Sequence, residues 1–346
     1  MTVVKKKLKI LVTGSAGFMG SHLYDYLVAA GYDVYGVDDL SGGFLRNVSD
    51  KKRFTKLDLR DRAKTAAYIA KIKPALVYHL AADATEGRSQ FTPFSALDRN
   101  WGAYMNLLVP AIKNGLKKMV LTSSMSVYGA QKPPFHEGMP LKPEDIYAAS
   151  KASMEVSTKI LSNVHSFQYV IVRPHNVYGS RQNLSDPYRN VLGIFINRIL
   201  HKKHFYIYGD GKQKRAFSYV DDVTAAVAAM GFNSKCNGRV FNVGNDSPTT
   251  VNDLGGLVLK EFFGEKVPRK ILPKYLPARP QEVKFAYCTH RELGRLTGYK
   301  AKTALKDGIG EMVTWAKSVG PQEFRYLDNL DLTNNLTPKT WKDKLL

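Results

Sequence analysis

The chain has 346 residues, of which 44% are hydrophobic and 23% are charged. This balance is typical of a soluble globular protein and excludes disorder of the whole chain. Two cysteines, Cys236 and Cys288, are too few for a disulfide framework or a structural zinc site, which favours a reducing, cytoplasmic setting. The net charge of +21 favours acidic partners: phosphate-bearing small molecules, nucleic acid or an anionic surface.

The N-terminus has the basic run Lys5-Lys6-Lys7 before an apolar stretch, as a signal peptide would. Lys9 interrupts that stretch, however, and glycines and polar residues follow within a few positions. No later segment offers the roughly 18 uncharged apolar residues that a membrane span needs. We therefore expect a protein that is neither secreted nor membrane-spanning.

Short β-branched runs alternate with helical patterns in the first half of the chain. The predicted strands are Leu8–Thr13, Asp33–Val37, Phe54–Leu57, Leu76–Leu80, Met119–Ser123 and Tyr169–Arg173. The predicted helices between them are Gly17–Ala30, Asp61–Ile72, Asp98–Asn114 and Ile146–Asn163. Such alternation predicts an α/β fold, a parallel sheet covered by helices on both faces.

A glycine-rich turn, Gly14-Ser-Ala-Gly17-Phe-Met-Gly20, connects the first predicted strand to its helix. Glycine lets the backbone approach a pyrophosphate, whose charge is stabilised by the free N–H groups at the helix N-terminus. Asp38 ends the second predicted strand, where a carboxylate accepts both hydroxyls of an adenosine ribose and repels a 2′-phosphate. The pattern predicts a site for NAD rather than NADP.

A second pattern combines a tyrosine and a lysine with serines at the end of a strand. Tyr147 and Lys151 are four residues apart, so on a helix the phenol and the ammonium share a face. A nearby ammonium favours the phenolate and lowers the pKa of the phenol, which makes tyrosine a usable base near neutral pH. Ser123 and Ser124 lie at the carboxyl end of the fifth predicted strand, at the edge where doubly wound sheets bind ligands.

These motifs together resemble the extended short-chain dehydrogenase/reductase family, and in particular its nucleotide-sugar epimerase branch, which includes the UDP-hexose 4-epimerases. Further segments agree with the likeness: His79-Leu-Ala-Ala82, Arg173-Pro-His-Asn176, the stretch from Gly209 to Asp222, and Arg279-Pro-Gln-Glu282. The resemblance covers about residues 8–315. It implies a doubly wound parallel Rossmann sheet with a smaller C-terminal substrate domain.

The resemblance also implies a role for each matching residue. Ser124, Tyr147 and Lys151 would form the catalytic triad. The implied NAD contacts are Gly14, Gly17, Phe18, Met19, Gly20, Asp38, Asp58, Leu59, Leu80, Asn100, Tyr147 and Lys151. The implied contacts to a nucleotide sugar are Ser124, Asn176, Asn190, Tyr206, Tyr208, Arg215, Arg279 and Ala286. Arginine suits the diphosphate because its planar guanidinium donates two parallel hydrogen bonds. No metal is expected.

The domain boundaries follow from where the strict alternation ends. Residues 1–174 are predicted to form the NAD-binding domain, rejoined by about residues 216–246. Residues 175–346, richer in turn-forming residues, are predicted to form mainly the substrate domain. The last stretch, from Pro321 to Leu346, is expected to be a loosely packed extension.

The two residues after Ser124 bear on which branch of the family this is. The 4,6-dehydratases of the family carry an Asp-Glu pair there, and UDP-glucuronate decarboxylases usually carry Glu at the second position. This chain has Met125 and Ser126, which cannot act as carboxyl acids or bases. The favoured function is therefore epimerisation at C4 of a UDP-hexose through a transient 4-keto sugar. A dehydratase or decarboxylase of the same family and a non-catalytic NAD-binding scaffold remain the alternatives.

The resemblance carries two further expectations about partners. The helix near Asp98–Asn114 and the helix that begins near Tyr147 occur in the order that gives relatives a four-helix dimer interface, so a homodimer is expected. Ala286, the seventh residue after Arg279, is small, so N-acetylated hexoses are expected to be tolerated beside UDP-glucose and UDP-galactose. Nucleic acid is not expected, because no recognisable binding module accompanies the basic charge.

Overall fold

The computed structural model describes residues 8–278 and 284–346. In these ranges the strands are β1 Lys9–Thr13, β2 Asp33–Asp38, β3 Phe54–Lys56, β4 Leu76–His79, β5 Lys118–Thr122, β6 Gln168–Pro174, β7 Val177–Tyr178, β8 Tyr206–Tyr208, β9 Lys214–Ala216, β10 Ser218–Tyr219, β11 Arg239–Val243, β12 Pro248–Thr250, β13 Lys274–Leu276 and β14 Phe285–Ala286.

The helices of the same ranges are α1 Phe18–Ala29, α2 Arg62–Ile72, α3 Glu86–Ser89, α4 Pro93–Leu97, α5 Ala103–Lys113, α6 Ile146–His165, α7 Val191–Leu200, α8 Val220–Phe232, α9 Val251–Phe263, α10 Arg291–Thr297, α11 Leu305–Val319 and α12 Lys339–Lys342. A π-helical turn, Asp98–Gly102, precedes α5. Within the described part of the chain, every helix is too short or too polar to cross a lipid bilayer.

The central sheet has seven strands in the order β11-β6-β5-β4-β1-β2-β3. Every neighbouring pair is parallel. The order reverses between β1 and β4, which opens a crevice at the carboxyl edge of the sheet, where ligands of doubly wound folds bind. This is the doubly wound Rossmann sheet that the sequence predicts. Its outer strand β11 comes from the second half of the chain and pairs with β6.

Two apolar cores cover the two faces of this sheet. On one face α1 and α8 bury side chains that include Leu23, Leu27 and Val227. On the other face α5 contributes Tyr104 and Leu107, packed with residues of α2 and α6. Because both faces are covered, β4 and β5 are buried along their whole length, as expected for central parallel strands.

A third core lies in the second half of the chain. The helices α7, α9 and α11 pack around Phe195, Phe205, Leu254 and Met312, all of which are buried. Small sheets surround this core: β13 pairs with β8, and β9 lies between β12 and β14. This second region therefore has its own apolar centre and faces the carboxyl edge of the main sheet across a cleft.

The C-terminal stretch is mostly exposed and without regular structure, as its sequence predicts, but its end is anchored on the rest of the fold. Trp341, on α12, is only 6% exposed, and its ring packs against those of Phe91 and Tyr188. The Arg325 amide donates a 2.8 Å hydrogen bond to the Ser185 carbonyl. Buried aromatic contacts to distant parts of the chain therefore hold the extension down.

Candidate active site

A cleft of about 960 Å³ lies between the carboxyl edge of the central sheet and the second region. One half of the cleft contains the glycine-rich turn, and the other half is polar and contains an arginine. Predicted site residues that line the cleft are Gly14, Gly17, Phe18, Met19, Gly20, Asp38, Asp58, Leu59, Leu80, Ser124, Tyr147, Lys151, Asn176, Asn190, Tyr206, Tyr208 and Arg215. The volume is at the upper end of what small-molecule sites occupy.

The glycine-rich turn at the end of β1 has space only for glycine at two positions. Gly14 has φ +70, and a Cβ there would lie 2.8 Å from the backbone nitrogen of Ala81. A Cβ on Gly20 would overlap the Gly14 carbonyl oxygen. The turn is thereby pressed against the start of α1, whose first N–H groups face the cleft without a capping side chain. Such a helix start is a site for an anion such as pyrophosphate.

Asp38, at the end of β2, is held by backbone amides beside this turn. Its Oδ2 accepts from the Ala16 amide at 3.0 Å and its Oδ1 accepts from the Leu40 amide at 2.7 Å. Burial raises the pKa of its carboxyl, and the amide hydrogen bonds oppose that rise. Each carboxylate oxygen keeps a further lone pair, so both can still accept from hydroxyls.

Asp58 lies farther along the same wall of the cleft. Its carboxylate is paired with Arg60 at 2.6 Å, and this hydrogen-bonded partner lowers the pKa of Asp58. Leu59, the next residue, is buried and lines the cleft. Leu59 and the Asp58–Arg60 pair therefore line the part of the cleft where the sequence predicts that the adenine binds.

Ser124 follows β5 and begins a short turn. It caps the 3₁₀ turn Met125–Tyr128, because its Oγ accepts a 3.2 Å hydrogen bond from the Ser126 amide. The cap fixes the Ser124 side chain at the carboxyl edge of the sheet. There Ser124 lines the cleft together with Tyr147.

Tyr147 and Lys151 are on one face of α6, as the spacing predicts. The helix begins after Asp145, whose side chain accepts from the Ala148 amide at 2.7 Å. The Lys151 ammonium donates a 2.8 Å hydrogen bond to the carbonyl of Thr122, the last residue of β5. Its nitrogen lies 5.7 Å from the centre of the Tyr147 ring. The triad therefore comes together at one end of the sheet.

The expected lowering of the phenol pKa by Lys151 is not what this geometry gives. Burial and the negative charge of Glu86 raise the pKa of Tyr147 above its usual range, while Ser124 opposes the rise by a hydrogen bond. Burial in turn lowers the pKa of Lys151 to about 7. The lysine is bound to a backbone carbonyl, so its charge acts on the phenol only from a distance.

A buried ionic network supports the triad from behind. Glu155, one turn of α6 beyond Lys151, is paired with Arg173 of β6 at 2.6 Å, and both side chains are buried. Glu155 also accepts a 2.6 Å hydrogen bond from the Ser123 hydroxyl. The Arg173 guanidinium donates to the Tyr128 hydroxyl at 2.8 Å. The network ties β5, α6 and β6 together at the site.

Three predicted contacts are placed differently or lie outside the described residues. Arg279 falls in the segment that the structure does not describe. Asn100 is buried behind the cleft, where its Oδ1 accepts a 2.9 Å hydrogen bond from the Asp83 amide. Ala286, on β14 beside Arg215, packs with Cys288 in a small apolar cluster and is not among the residues that line the cleft. Asn100 therefore supports a cleft loop, and Ala286 lies behind Arg215.

Met125 and Ser126 do not line the cleft. Met125 is buried in the apolar cluster that contains Tyr128 and Phe135. Ser126 contributes its amide to the cap of Ser124. No carboxyl therefore follows Ser124 in the position that dehydratases use.

Sequence reasoning missed two parts of the cleft. Glu86, at the start of α3, lines it. Arg325, Tyr326 and Leu327 of the C-terminal extension line its other end. The one sequence signal for Glu86 is a carboxyl seven residues after His79, inside a predicted cleft loop. The extension gives no comparable signal.

Comparison with known proteins agrees with this geometry. The profile of the NAD dependent epimerase/dehydratase family matches residues 10–244. The chain belongs to this family. Its cofactor is NAD, and the glycine turn pressed against α1 and the amide-held Asp38 carboxylate fit that dinucleotide.

Individual relatives match over nearly the whole chain. The UDP-glucose 4-epimerase of Mycolicibacterium smegmatis is 33% identical over 320 residues, which is 90% of this chain and 99% of that protein. The structure of the Thermus thermophilus UDP-glucose 4-epimerase with NAD is 30% identical with a TM-score of 0.82, covering 89% and 98%. A UDP-N-acetylglucosamine 4-epimerase from Methanobrevibacter ruminantium, in complex with UDP-N-acetylmuramic acid, is 30% identical with a TM-score of 0.82, covering 91% and 99%. The nucleotide-sugar epimerase branch predicted from the sequence is confirmed.

Proposed function

We propose that the protein interconverts UDP-hexoses that differ in configuration at C4, with UDP-glucose and UDP-galactose as its pair. The observation that carries the proposal is the convergence of Ser124, Tyr147 and Lys151 at the carboxyl edge of the sheet, beside the dinucleotide turn. Bound NAD supplies the chemistry of accepting a hydride and returning it. A 4-keto sugar is the transient product of the first half of the reaction.

The protein's own residues handle the proton and hold the sugar oxygen. Tyr147, as the phenolate, takes the proton from the 4-hydroxyl and later returns it. Ser124, fixed by its cap, hydrogen-bonds the same oxygen. Lys151, anchored on the Thr122 carbonyl with its nitrogen 5.7 Å from the centre of the Tyr147 ring, would hold the ribose of the cofactor. This set needs no carboxyl pair, which is why it suits epimerisation.

The second region would hold the diphosphate and the base while the sugar rotates between the two halves of the reaction. Arg215 of β9 presents a guanidinium to the cleft, and Asn176 and Asn190 line the same part of the wall. Tyr206 and Tyr208 of β8 line the part assigned to the base. Because the nucleotide is held and the sugar is free to rotate, the sugar can present either face of C4 to the bound cofactor.

Dehydration of the sugar is the second candidate, because the family includes dehydratases. It requires an acid and a base besides the triad, and Met125 and Ser126 supply neither. A single assay separates the two: the protein is incubated with UDP-glucose or UDP-galactose and the nucleotide sugars are resolved. Interconversion supports the proposal, whereas a 6-deoxy-4-keto product or no turnover rejects it.

Tyr147→Phe tests the chemical role within that assay. The substitution removes only the hydroxyl, so NAD should remain bound while kcat falls by roughly 10² to 10⁴. Tyr24→Phe is a matched control, since Tyr24 is a buried tyrosine of α1 that does not line the cleft. Equal losses in both variants would mean that the effect of Tyr147→Phe is structural.

We also propose that N-acetylated hexoses are tolerated. The proposal rests on the similarity to the Methanobrevibacter enzyme, a UDP-N-acetylglucosamine 4-epimerase. It does not rest on Ala286, which lies outside the cleft. The test is incubation of the parent protein with UDP-N-acetylglucosamine, and the absence of any turnover of that sugar would reject the proposal.

A homodimer is part of the same proposal. On α6, Val156, Ile160 and Val164 form an apolar stripe whose members are 46%, 57% and 68% exposed. Phe94 and Trp101, on the helical segment that packs beside α6, are 75% and 42% exposed. Large apolar side chains at helical spacing on neighbouring helices suit a helix-to-helix contact with a second copy of the chain.

A further inference from the structure

The C-terminal extension reaches the substrate half of the cleft. Three consecutive residues of the extension, Arg325, Tyr326 and Leu327, line the cleft wall. The same wall contains Asn190 and Arg215, which the proposed function assigns to the nucleotide sugar. The resemblance to the family ends near residue 315, so no family motif gives the extension a role. It is a part of the cleft that the proposed function does not yet use.

Two backbone hydrogen bonds fix this part of the extension beside the start of α7. The Arg325 amide donates a 2.8 Å hydrogen bond to the Ser185 carbonyl, and the Leu327 amide donates a 2.8 Å hydrogen bond to the Tyr188 hydroxyl. Ser185 and Tyr188 belong to the segment that leads into Asn190, the residue directly before α7. Arg325 is therefore held against the segment that carries an expected contact of the diphosphate.

The extension is anchored on both sides of Arg325. Before it, Asn197 of α7 and Gln322 exchange two hydrogen bonds: the Asn197 Nδ2 donates to the Gln322 carbonyl at 2.7 Å, and the Asn197 Oδ1 accepts from the Gln322 amide at 2.9 Å. After it, the buried Trp341 packs against Tyr188. Backbone that is already fixed loses less conformational entropy when a ligand binds. Arg325 is thus positioned before a substrate arrives.

The charge of Arg325 is not neutralised by the protein. Other arginines of the cleft wall are already paired with carboxylates: Arg60 with Asp58, Arg88 with Asp83, Arg99 with Asp39 and Arg189 with Asp186. Among the described residues, no carboxylate lies within ion-pair distance of the Arg325 guanidinium, and the Arg325 side chain is exposed. Its positive charge is therefore available to an anionic ligand of the cleft.

We infer that Arg325 binds the diphosphate of the nucleotide sugar, which makes the C-terminal extension part of the substrate site. A guanidinium donates two parallel hydrogen bonds to phosphate oxygens, which suits this ligand. The diphosphate carries the negative charge of a UDP-hexose, whereas the uracil and the hexose are neutral. The inference rests on the proposed function, because that function supplies the nucleotide sugar as the ligand.

The experiment compares the binding of UDP and of uridine to the NAD-loaded protein by isothermal titration calorimetry. Arg325→Gln removes the charge and keeps the backbone hydrogen bonds of the extension. It should weaken UDP binding by about tenfold, the effect of one lost hydrogen-bonded contact to a charged group, and leave uridine binding unchanged. Lys339→Gln removes an exposed positive charge of the same extension outside the cleft. This control should change UDP binding by less than about twofold, because salt screens exposed charges that are not in contact.

Three results would overturn the inference. Unchanged UDP binding in Arg325→Gln would mean that the guanidinium does not contact the diphosphate. Equal losses of UDP and uridine binding would mean that the substitution acts on the base or on the shape of the cleft. Equal losses in Arg325→Gln and Lys339→Gln would mean that only the net charge of the protein matters. Bound NAD and the circular dichroism spectrum establish that each variant is folded.

Binding of UDP requires no turnover, so this experiment separates the inference from the proposed function. A protein that binds UDP through Arg325 but does not interconvert UDP-hexoses would contradict the proposed function and leave the inference standing. A protein that interconverts them, and whose Arg325→Gln variant binds UDP as tightly as the parent does, would contradict the inference alone. A parent protein that binds no UDP would overturn the inference as well.

Discussion

Glu155 and Arg173 form a fully buried ion pair with an N–O distance of 2.6 Å, directly behind the catalytic helix face. Glu155 is one turn after Lys151 on α6, and Arg173 lies on β6. The pair therefore fixes the rotation of α6 about its axis relative to the sheet, and with it the direction in which Tyr147 and Lys151 project. Placement of the two side chains that we propose as catalytic depends on this contact outside the cleft.

Breaking this pair should be strongly destabilising. Glu155→Gln leaves the Arg173 guanidinium buried without a counter-charge, which costs about 3 kcal/mol of unfolding free energy. Urea denaturation of the parent and the variant measures the difference. Glu265→Gln removes one partner of an exposed pair with Lys260 and should leave stability almost unchanged. Equal effects of the two substitutions would contradict the role given to Glu155.

Lys151 should weaken the fold while serving catalysis. Burial lowers its pKa to about 7 in the folded protein, whereas an unfolded chain has a lysine pKa of about 10.4. Between these values the unfolded chain binds the extra proton, so stability falls as pH drops from about 10 to 7 and the loss is complete below 7.

Lys151→Met should remove that slope. We expect the variant to be inactive yet more stable at pH 7 by about 1 kcal/mol, with a flatter dependence of stability on pH between 7 and 10. Lys71→Met, at an exposed position of α2, should keep the parent's slope. A less stable Lys151→Met protein would show that the hydrogen bond to Thr122 outweighs the burial of the charge.

The C-terminal extension should contribute to substrate binding. Trp341 packs on Tyr188, and its neighbour Thr340 shares a 2.8 Å hydrogen bond with the hydroxyl of Tyr208 in the cleft. Trp341→Ala should loosen this contact and raise KM for the nucleotide sugar about fivefold or more, with a smaller change in kcat. Leu336→Ala, at a 59% exposed site of the same extension, is the control. Unchanged KM in Trp341→Ala would show that the extension is only structural.

The apolar stripe of α6 should hold the dimer together. Ile160→Asp places a charge at the centre of the stripe and should convert a dimer into a monomer, as measured by light scattering at micromolar concentration. Leu272→Asp, at an exposed apolar residue outside the stripe, should leave the dimer intact. A monomeric parent protein would reject the proposed interface outright.

The sequence predicts the Rossmann sheet well because its signal is local. The predicted strands and helices agree with β1 to β6 and with the helices between them to within a few residues. The prediction succeeds because each buried run and each turn is determined by residues that are neighbours in the sequence. The glycine turn, Asp38 and the Tyr147–Lys151 pair are local patterns too.

What the sequence does not predict depends on contacts between distant positions. Trp341 finds Phe91 and Tyr188 more than a hundred residues away, so the extension looks unstructured until the fold is known. Lys151 donates a hydrogen bond to the backbone carbonyl of Thr122. The pattern of side chains along the sequence does not predict a contact with a backbone atom. Glu86 is a single acid in a loop, and only the packing of α3 on α6 shows that it lines the cleft.

The central claim is that hydride leaves C4 of the sugar and returns to it. UDP-galactose carrying deuterium at C4 tests it most directly, with the UDP-glucose product examined by mass spectrometry and NMR. Deuterium should remain at C4 with inverted configuration, because bound NAD would supply acceptance of this hydride and its return to the same carbon. Product that has lost its deuterium to solvent, or that carries it at another carbon, would contradict the account.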